Sequence, residues 1–228
     1  MNDRSGVLLE FSRIRDGINR ISLFTAEDGL ISGLYRSANK KTNSKFLPLC
    51  SLHYSISTKP NTDLRWFQNL TVTHPLFNIY SDVLKQCIVL YLQELLIRST
   101  MPQNPNAALY RFLHDIIHLL DDSHRPANFP LWATMEIIRH QGFLPDKNQI
   151  DDMARLRKTS QDHQNVSQEA ADLILDFLPL EWSQVSDYSI PSAVRREATE
   201  MLIEFLCKQL EITSKFHSVE ILHDVLHA

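Results

Sequence analysis

The sequence predicts an α+β protein of two modules, a small five-stranded β-barrel followed by an all-helical domain. Three observations carry this. Apolar–polar alternations broken by turn residues fill residues 1–75, the hydrophobic period changes from two to about 3.6 from Leu76 onward, and the formal charge changes sign between the two parts. At 228 residues, 43% hydrophobic and 22% charged, the chain is long enough for two small globular domains.

The strands come first. Val7, Leu9 and Phe11 alternate imperfectly with Leu8 and Glu10, and Ile21 and Leu23 alternate with Arg20 and Ser22. Leu30 to Tyr35 follows the Glu27-Asp28-Gly29 turn. Cys50, Leu52, Tyr54 and Ile56 alternate cleanly with Ser51, His53 and Ser55, and Leu64 to Val72 follows the Lys59-Pro60-Asn61 turn. Five short strands suit a small closed barrel, of which the OB-fold is the common five-stranded kind, although an SH3-like barrel or a half sandwich shares the pattern.

The helices follow. Leu84, Cys87, Ile88, Tyr91, Leu92, Leu95 and Leu96 form one apolar stripe, and Leu109, Phe112, Leu113, Ile116, Ile117 and Leu120 form another. A third helix through Trp132, Met135 and Ile138 ends at Gly142, with Pro145 beyond. Residues 146–166 are polar and stripeless, a loop or loosely held helix. Ser167 is placed to cap a helix through Phe177, Val194 to Leu210 marks another, and Ser218 is placed to cap a last one, Val219 to Leu226. The expected boundaries are 1–75 for the barrel and 76–228 for the helical domain.

Composition excludes several function classes. No apolar run approaches the roughly 18 residues of a membrane span, and the stretch from Val7 to Phe11 is too short for a signal-peptide core, so a cytoplasmic protein is expected. Cys50, Cys87 and Cys207 are isolated, which supports neither a zinc ribbon nor a disulfide framework. Five glycines provide no phosphate-cradling loop and no nucleophile elbow. Up to Tyr80 the chain has ten Lys and Arg against six Asp and Glu, a net +4, and the remainder has 13 against 21, a net −8. A basic front and an acidic back point to modules with different partners.

Arg36, Lys40, Lys41 and Lys45 place four cations within ten residues, spaced by small polar groups, a composition suited to sugar-phosphate contacts. Arg13, Arg15 and Arg20 extend the patch across the first hairpin. Tyr35, Phe46 and Trp66 stand among these cations, either as barrel core or as platforms on which unpaired bases stack, at about 1–3 kcal/mol per base. Arg195 and Arg196 open a helix, where cations oppose its dipole; pairing with an acidic partner or with Glu200 one turn on would account for them. His114-Asp115-Ile116-Ile117-His118 approaches the HExxH zinc motif, but the string recurs as His223-Asp224-Val225-Leu226-His227, and the sequence offers no third ligand.

The order of features resembles the RecO family. Gly6-Val7-Leu8-Leu9 is similar to its first strand, Thr25 to Leu30 to the turn between its second and third strands, and Leu34 to Phe46 to its basic loop, after which Pro48-Leu49 leads into the next strand. Pro191 to Arg196 and His217 to Leu226 resemble its closing helices, so the likeness runs from Gly6 to Leu226. The chain departs from many members in lacking a four-cysteine zinc site, and its basic loop has Ser37 where glycine is frequent, with Asn39, Thr42 and Asn43 diluting the lysines.

The resemblance implies a non-enzymatic recombination mediator without a cofactor or metal, associated with the nucleoid. It would bind single- and double-stranded DNA through the barrel cations and aromatics and anneal complementary strands. It would help load recombinase onto DNA covered by single-stranded DNA-binding protein, acting with a RecR-like partner. Its helical domain would receive the acidic tail of single-stranded DNA-binding protein near Arg195 and Arg196. The alternatives are a protein-interaction adaptor that works through the acidic helices and, behind it, a zinc hydrolase using His114 and His118.

Overall fold

A computed structural model describes residues 4–15, 17–37, 46–58, 64–157 and 164–227. The strands are β1 (Arg4–Arg15), β2 (Ile18–Thr25), β3 (Gly29–Arg36), β4 (Ser51–Thr58) and β5 (Arg65–Val72). They close into a barrel in the order β1-β2-β3-β5-β4, with β1 also pairing β4. All pairings are antiparallel except β3 with β5, where Leu34 opposes Trp66 and Tyr35 opposes Phe67. Five strands in this order, with one parallel pairing, are the OB-fold arrangement expected from the sequence.

Turn chemistry sets the β2–β3 hairpin. Gly29 adopts φ 64°, and the Thr25 hydroxyl donates to the Gly29 carbonyl at 3.1 Å while accepting from the Asp28 amide at 3.1 Å. The alternation of β1 is imperfect for a structural reason. Val7, Leu8 and Leu9 are all completely buried, because a helix described below packs against β1 and β2 from outside while the barrel interior takes the other face.

The helices are α1 (Phe77–Ser81), α2 (Val83–Ser99), α3 (Ala107–Asp122), α4 (Phe129–His140), α5 (Lys147–Arg157), α6 (Gln164–Phe177), α7 (Trp182–Val185), α8 (Ser192–Gln209) and α9 (His217–His227), with a 3₁₀ turn at Pro126–Asn128. The chain divides into two compact units. One comprises Met1–Asp82 with Gln93–Asp122, the other Val83–Leu92 with Ser123–Ala228, so α2 contributes to both.

In the first unit α3 is the helix that covers β1 and β2, burying Leu109, Leu113, Ile116, Ile117 and Leu120. It also anchors the segment leaving the barrel: the buried Asp121 carboxylate accepts the Ile79 amide of α1 at 2.8 Å. The Gln93 side chain of α2 donates to the Leu9 carbonyl of β1 at 2.6 Å.

In the second unit Phe129, Trp132 and Trp182 form an aromatic cluster with ring centroids 4.8–5.7 Å apart. One open sequence expectation is decided here and two are revised. The polar stretch after Asp146 contains α5, held at its start by a reciprocal capping box in which Asp146 and Gln149 exchange side-chain to backbone bonds at 2.9 Å, and burying only Ile150 and Ala154. Two buried positions in eleven residues leave little periodicity to read. Ser167 does not cap α6, which starts at Gln164; it is buried inside the helix and donates to Glu197 Oε1 at 2.8 Å. The last helix begins at His217, so Ser218 lies within its first turn.

Candidate nucleic-acid interface

Strand register brings several of the anticipated residues together. Residues directly opposite one another on paired strands share a face of the sheet. Arg20 opposes Leu34, Leu34 opposes Trp66, and Trp66 opposes Ser57. One row therefore crosses β2, β3, β5 and β4, on the face where Arg20 is exposed and Leu34 and Trp66 are half-buried. Arg36, two residues along β3, belongs to the same face and is exposed.

An open groove of about 810 Å³ runs beside this row, lined by Tyr35, Arg36, Ser57, Trp66, Phe67 and Gln68, with Asn69, Leu70 and Thr71 continuing it. Its lining is mixed, one guanidinium, two part-exposed aromatic rings and several amide or hydroxyl groups. That mixture can neutralise a phosphate, stack a base and accept or donate hydrogen bonds.

The aromatic residues separate by role. Phe46 is 5% exposed, and its ring stacks on Phe11 at 5.0 Å and meets Tyr35 edge-on at 6.0 Å. Of the two readings open for it, core is the one the geometry favours, since almost none of its ring reaches solvent. Tyr35 is part of that cluster, lying 6.3 Å from Phe11, yet it keeps an exposed portion on the groove. Trp66 is half-buried on the outer row.

Among the cations, Arg13 and Arg15 are exposed at the end of β1, where Arg13 opposes Asn19 and Arg15 opposes Ile18. Arg20 Nε lies 3.6 Å from Glu10 Oε2, and Glu10 also accepts from Ser12 and Ser22 at 2.9 and 3.3 Å. Arg20 is 56% exposed, so this pair is worth at most about 1 kcal/mol and yields easily to a phosphate. Lys40, Lys41 and Lys45 lie outside the described residues. Ser57, Gln68 and Thr71 were not anticipated. The signal for Gln68 was available in the β5 alternation: Phe67 and Leu70 are buried, which turns Trp66 and Gln68 outward, with a kink at Asn69 (φ 54°) before Leu70.

Arg195 and Arg196 are the fourth and fifth residues of α8 in the second unit. Arg196 Nε donates to Glu200 Oε1 at 2.8 Å, the bond one turn on that its position allows. Arg195 is half-buried, donates weakly to Asn128 Oδ1 at 3.4 Å, and has its pKa lowered by burial. Both border a pocket of only about 10 Å³ with Pro130, Leu222, His223 and Leu226, room for about one water.

His114 and His118 are half-buried on α3, and the fold supplies a neighbour that sequence spacing could not show. His74, just after β5, has its ring centroid 6.3 Å from His114 and 5.2 Å from His118. The His118 pKa is lowered, first by burial and then by the two neighbouring imidazoles. Among the described residues no helix is long and apolar enough to cross a membrane.

The RecO_C family model, described as the recombination protein O C terminal, matches residues 80–149. The chain is similar to proteins named DNA repair protein RecO. It is 27% identical to that of Flavobacterium psychrophilum over 90% of each chain. It is 32% identical to that of Flavobacterium johnsoniae over 58% of this chain and 57% of the relative, and 29% identical to that of Bacteroides fragilis over 62% and 60%. With a closed barrel ahead of helices, the family model on residues 80–149 and a relative matched over nine-tenths of its length, the chain is similar to the RecO family of DNA repair proteins.

Proposed function

We propose that the protein is a non-enzymatic DNA-binding mediator whose barrel groove holds single-stranded DNA. The observation that carries this reading is the cross-strand row of Arg20, Leu34, Trp66 and Ser57 with Arg36 beside it, on the strand 2–3 face by which OB-folds take up oligonucleotides. Arg36, which lines that groove, is also the first of the four cations that the sequence gathers between Arg36 and Lys45. Double-stranded DNA would engage the same cations without the stacking contribution.

No covalent step is required. Annealing is downhill once lysine and arginine charge offsets the repulsion between two phosphate chains, and the protein's task is to hold one strand with its bases accessible. Loading of recombinase would follow displacement of single-stranded DNA-binding protein, whose acidic tail would meet Arg195 or Arg196. The pocket there has room for about one water, so insertion of a side chain at that place needs α8 and α9 side chains to part. A RecR-like protein would complete the assembly.

The test is fluorescence anisotropy of labelled oligonucleotides across a salt series. Binding that weakens steeply with salt, and weakens about equally for all sequences when Lys40, Lys41 and Lys45 are reversed to Glu, supports the reading. Binding that is absent at low salt or indifferent to salt overturns it.

A further inference from the structure

We propose that His74, His114 and His118 bind one divalent transition-metal ion, zinc foremost, which fastens the segment leaving the barrel to helix α3. All three belong to the first compact unit, and one potential ligand nitrogen from each lies within 4.8 Å of the others. About a tetrahedral ion with bonds of 2.0–2.1 Å, such nitrogens stand roughly 3.4 Å apart. The rings therefore have to draw in by at most about 1.4 Å, within reach of small χ rotations in side chains that are half-buried or exposed.

Hydrogen bonds around the cluster set the tautomers that ligation needs. The Thr73 hydroxyl donates its only proton to the Ser51 carbonyl at 3.1 Å. Its contact with His74 Nδ1 at 3.2 Å must then be donated by the imidazole, which leaves His74 Nε2 with a free lone pair. Asp115 Oδ1 lies 3.0 Å from His114 Nδ1, and a carboxylate only accepts, so His114 Nε2 is likewise left as the ligand atom. His118, four residues from His114 on the same helix face, has its ring centroid 5.7 Å from that of His114 and 5.2 Å from that of His74.

The position of His74 is itself fixed. Thr73 is tied to Ser51 by both amide and hydroxyl, at 3.0 and 3.1 Å, and α1, three residues further on, is bonded to Asp121 of α3. Two separate anchors thus hold His74 over the helix. Imidazole nitrogens select zinc, copper, nickel or cobalt over magnesium and calcium. Asp115 is engaged as the orienting partner of His114, which removes the residue a hydrolase of the HExxH kind would use as its base. The inference is therefore structural, and it stands apart from DNA binding.

The experiment uses the full chain without an affinity tag, stripped with a chelator and titrated with Zn²⁺ against a chromophoric competitor. The expected result is one equivalent bound and a rise in melting temperature. His74→Asn or His118→Asn should remove both, Asp115→Asn should weaken affinity by roughly tenfold or more, and His124→Asn, outside the cluster, should change neither. His74 is exposed, so its variant keeps the fold and serves as the decisive arm. No bound zinc, or binding that survives His74→Asn, overturns the proposal.

Discussion

Gly33 faces the Arg65 carbonyl where β3 meets β5, and a Cβ at Gly33 would stand 2.5 Å from that oxygen and 2.8 Å from the Phe67 ring. The parallel contact that closes the barrel, Leu34 with Trp66 and Tyr35 with Phe67, thus begins beside a residue with no side chain to spare. Gly33→Ala should destabilise the barrel by about 2–3 kcal/mol in urea unfolding, because the obstacle is backbone and cannot rotate away. Gly142→Ala, at φ 82° with open space around the position, should cost only about 1 kcal/mol, from conformation alone.

Trp66→Ala should weaken single-stranded DNA binding by roughly tenfold, in keeping with about 1–3 kcal/mol per stacked base, and should affect duplex binding less. Arg36→Ala should lower affinity for all sequences and reduce the salt slope by about one. Phe46→Ala should instead show itself first as lost stability, since the ring is buried against Phe11. Anisotropy and thermal unfolding on the three variants separate these outcomes.

Arg157 of α5 bonds Glu197 at 2.8 Å and also Glu204 of α8, with Glu200 at 3.6 Å, while Ser167 of α6 holds the other oxygen of Glu197. Replacing Arg157 with Ala leaves three carboxylates facing one another where α5, α6 and α8 meet. A loss of roughly 2–4 kcal/mol is expected, less than for a wholly buried pair because Glu204 is 67% exposed. Glu204→Gln should cost under about 1 kcal/mol. Chemical denaturation checks both.

Burial pushes the Cys50 thiol from 9.0 up to about 12. At mildly alkaline pH an aromatic disulfide reagent should therefore modify Cys87 and Cys207, which are part-exposed, well before Cys50, and reach all three only in denaturant. The linkage has a definite sign. Below pH 9 both folded and unfolded chains keep the Cys50 proton. Between about 9 and about 12 the unfolded chain releases it while the folded chain does not, so stability falls as pH rises through that window. Tyr54, raised to about 12 chiefly by burial, adds to the slope from its ordinary value of 10.0. Cys50→Ala should flatten the lower part of the curve, measured by unfolding at a series of pH values.

Much of the fold was legible because its signals are local. Alternation in Cys50 to Ile56, the Asp28-Gly29 turn and the stripe of α3 each reflect a face pressed against one core. Where burial is two-sided or sparse, pattern fails: Leu8 and Leu9 are both buried, α5 hides two residues, and Ser167 answers to Glu197 thirty positions away rather than to its own helix end. The interface divides in the same manner. Arg20, Arg36 and Trp66 were visible as residue types, but their alignment in one row depends on the β3–β5 register. The companion of His114 and His118 was beyond reach because His74 arrives through the fold, not through spacing.

β1 is hydrogen-bonded along one side to β2 and along the other to β4. Each described strand of the closed barrel therefore has a strand neighbour on both sides, if only over part of its length, unlike the edge strand of an open sheet. Closure thus removes the full-length edge by which the sheets of crowded molecules join strand to strand into fibres.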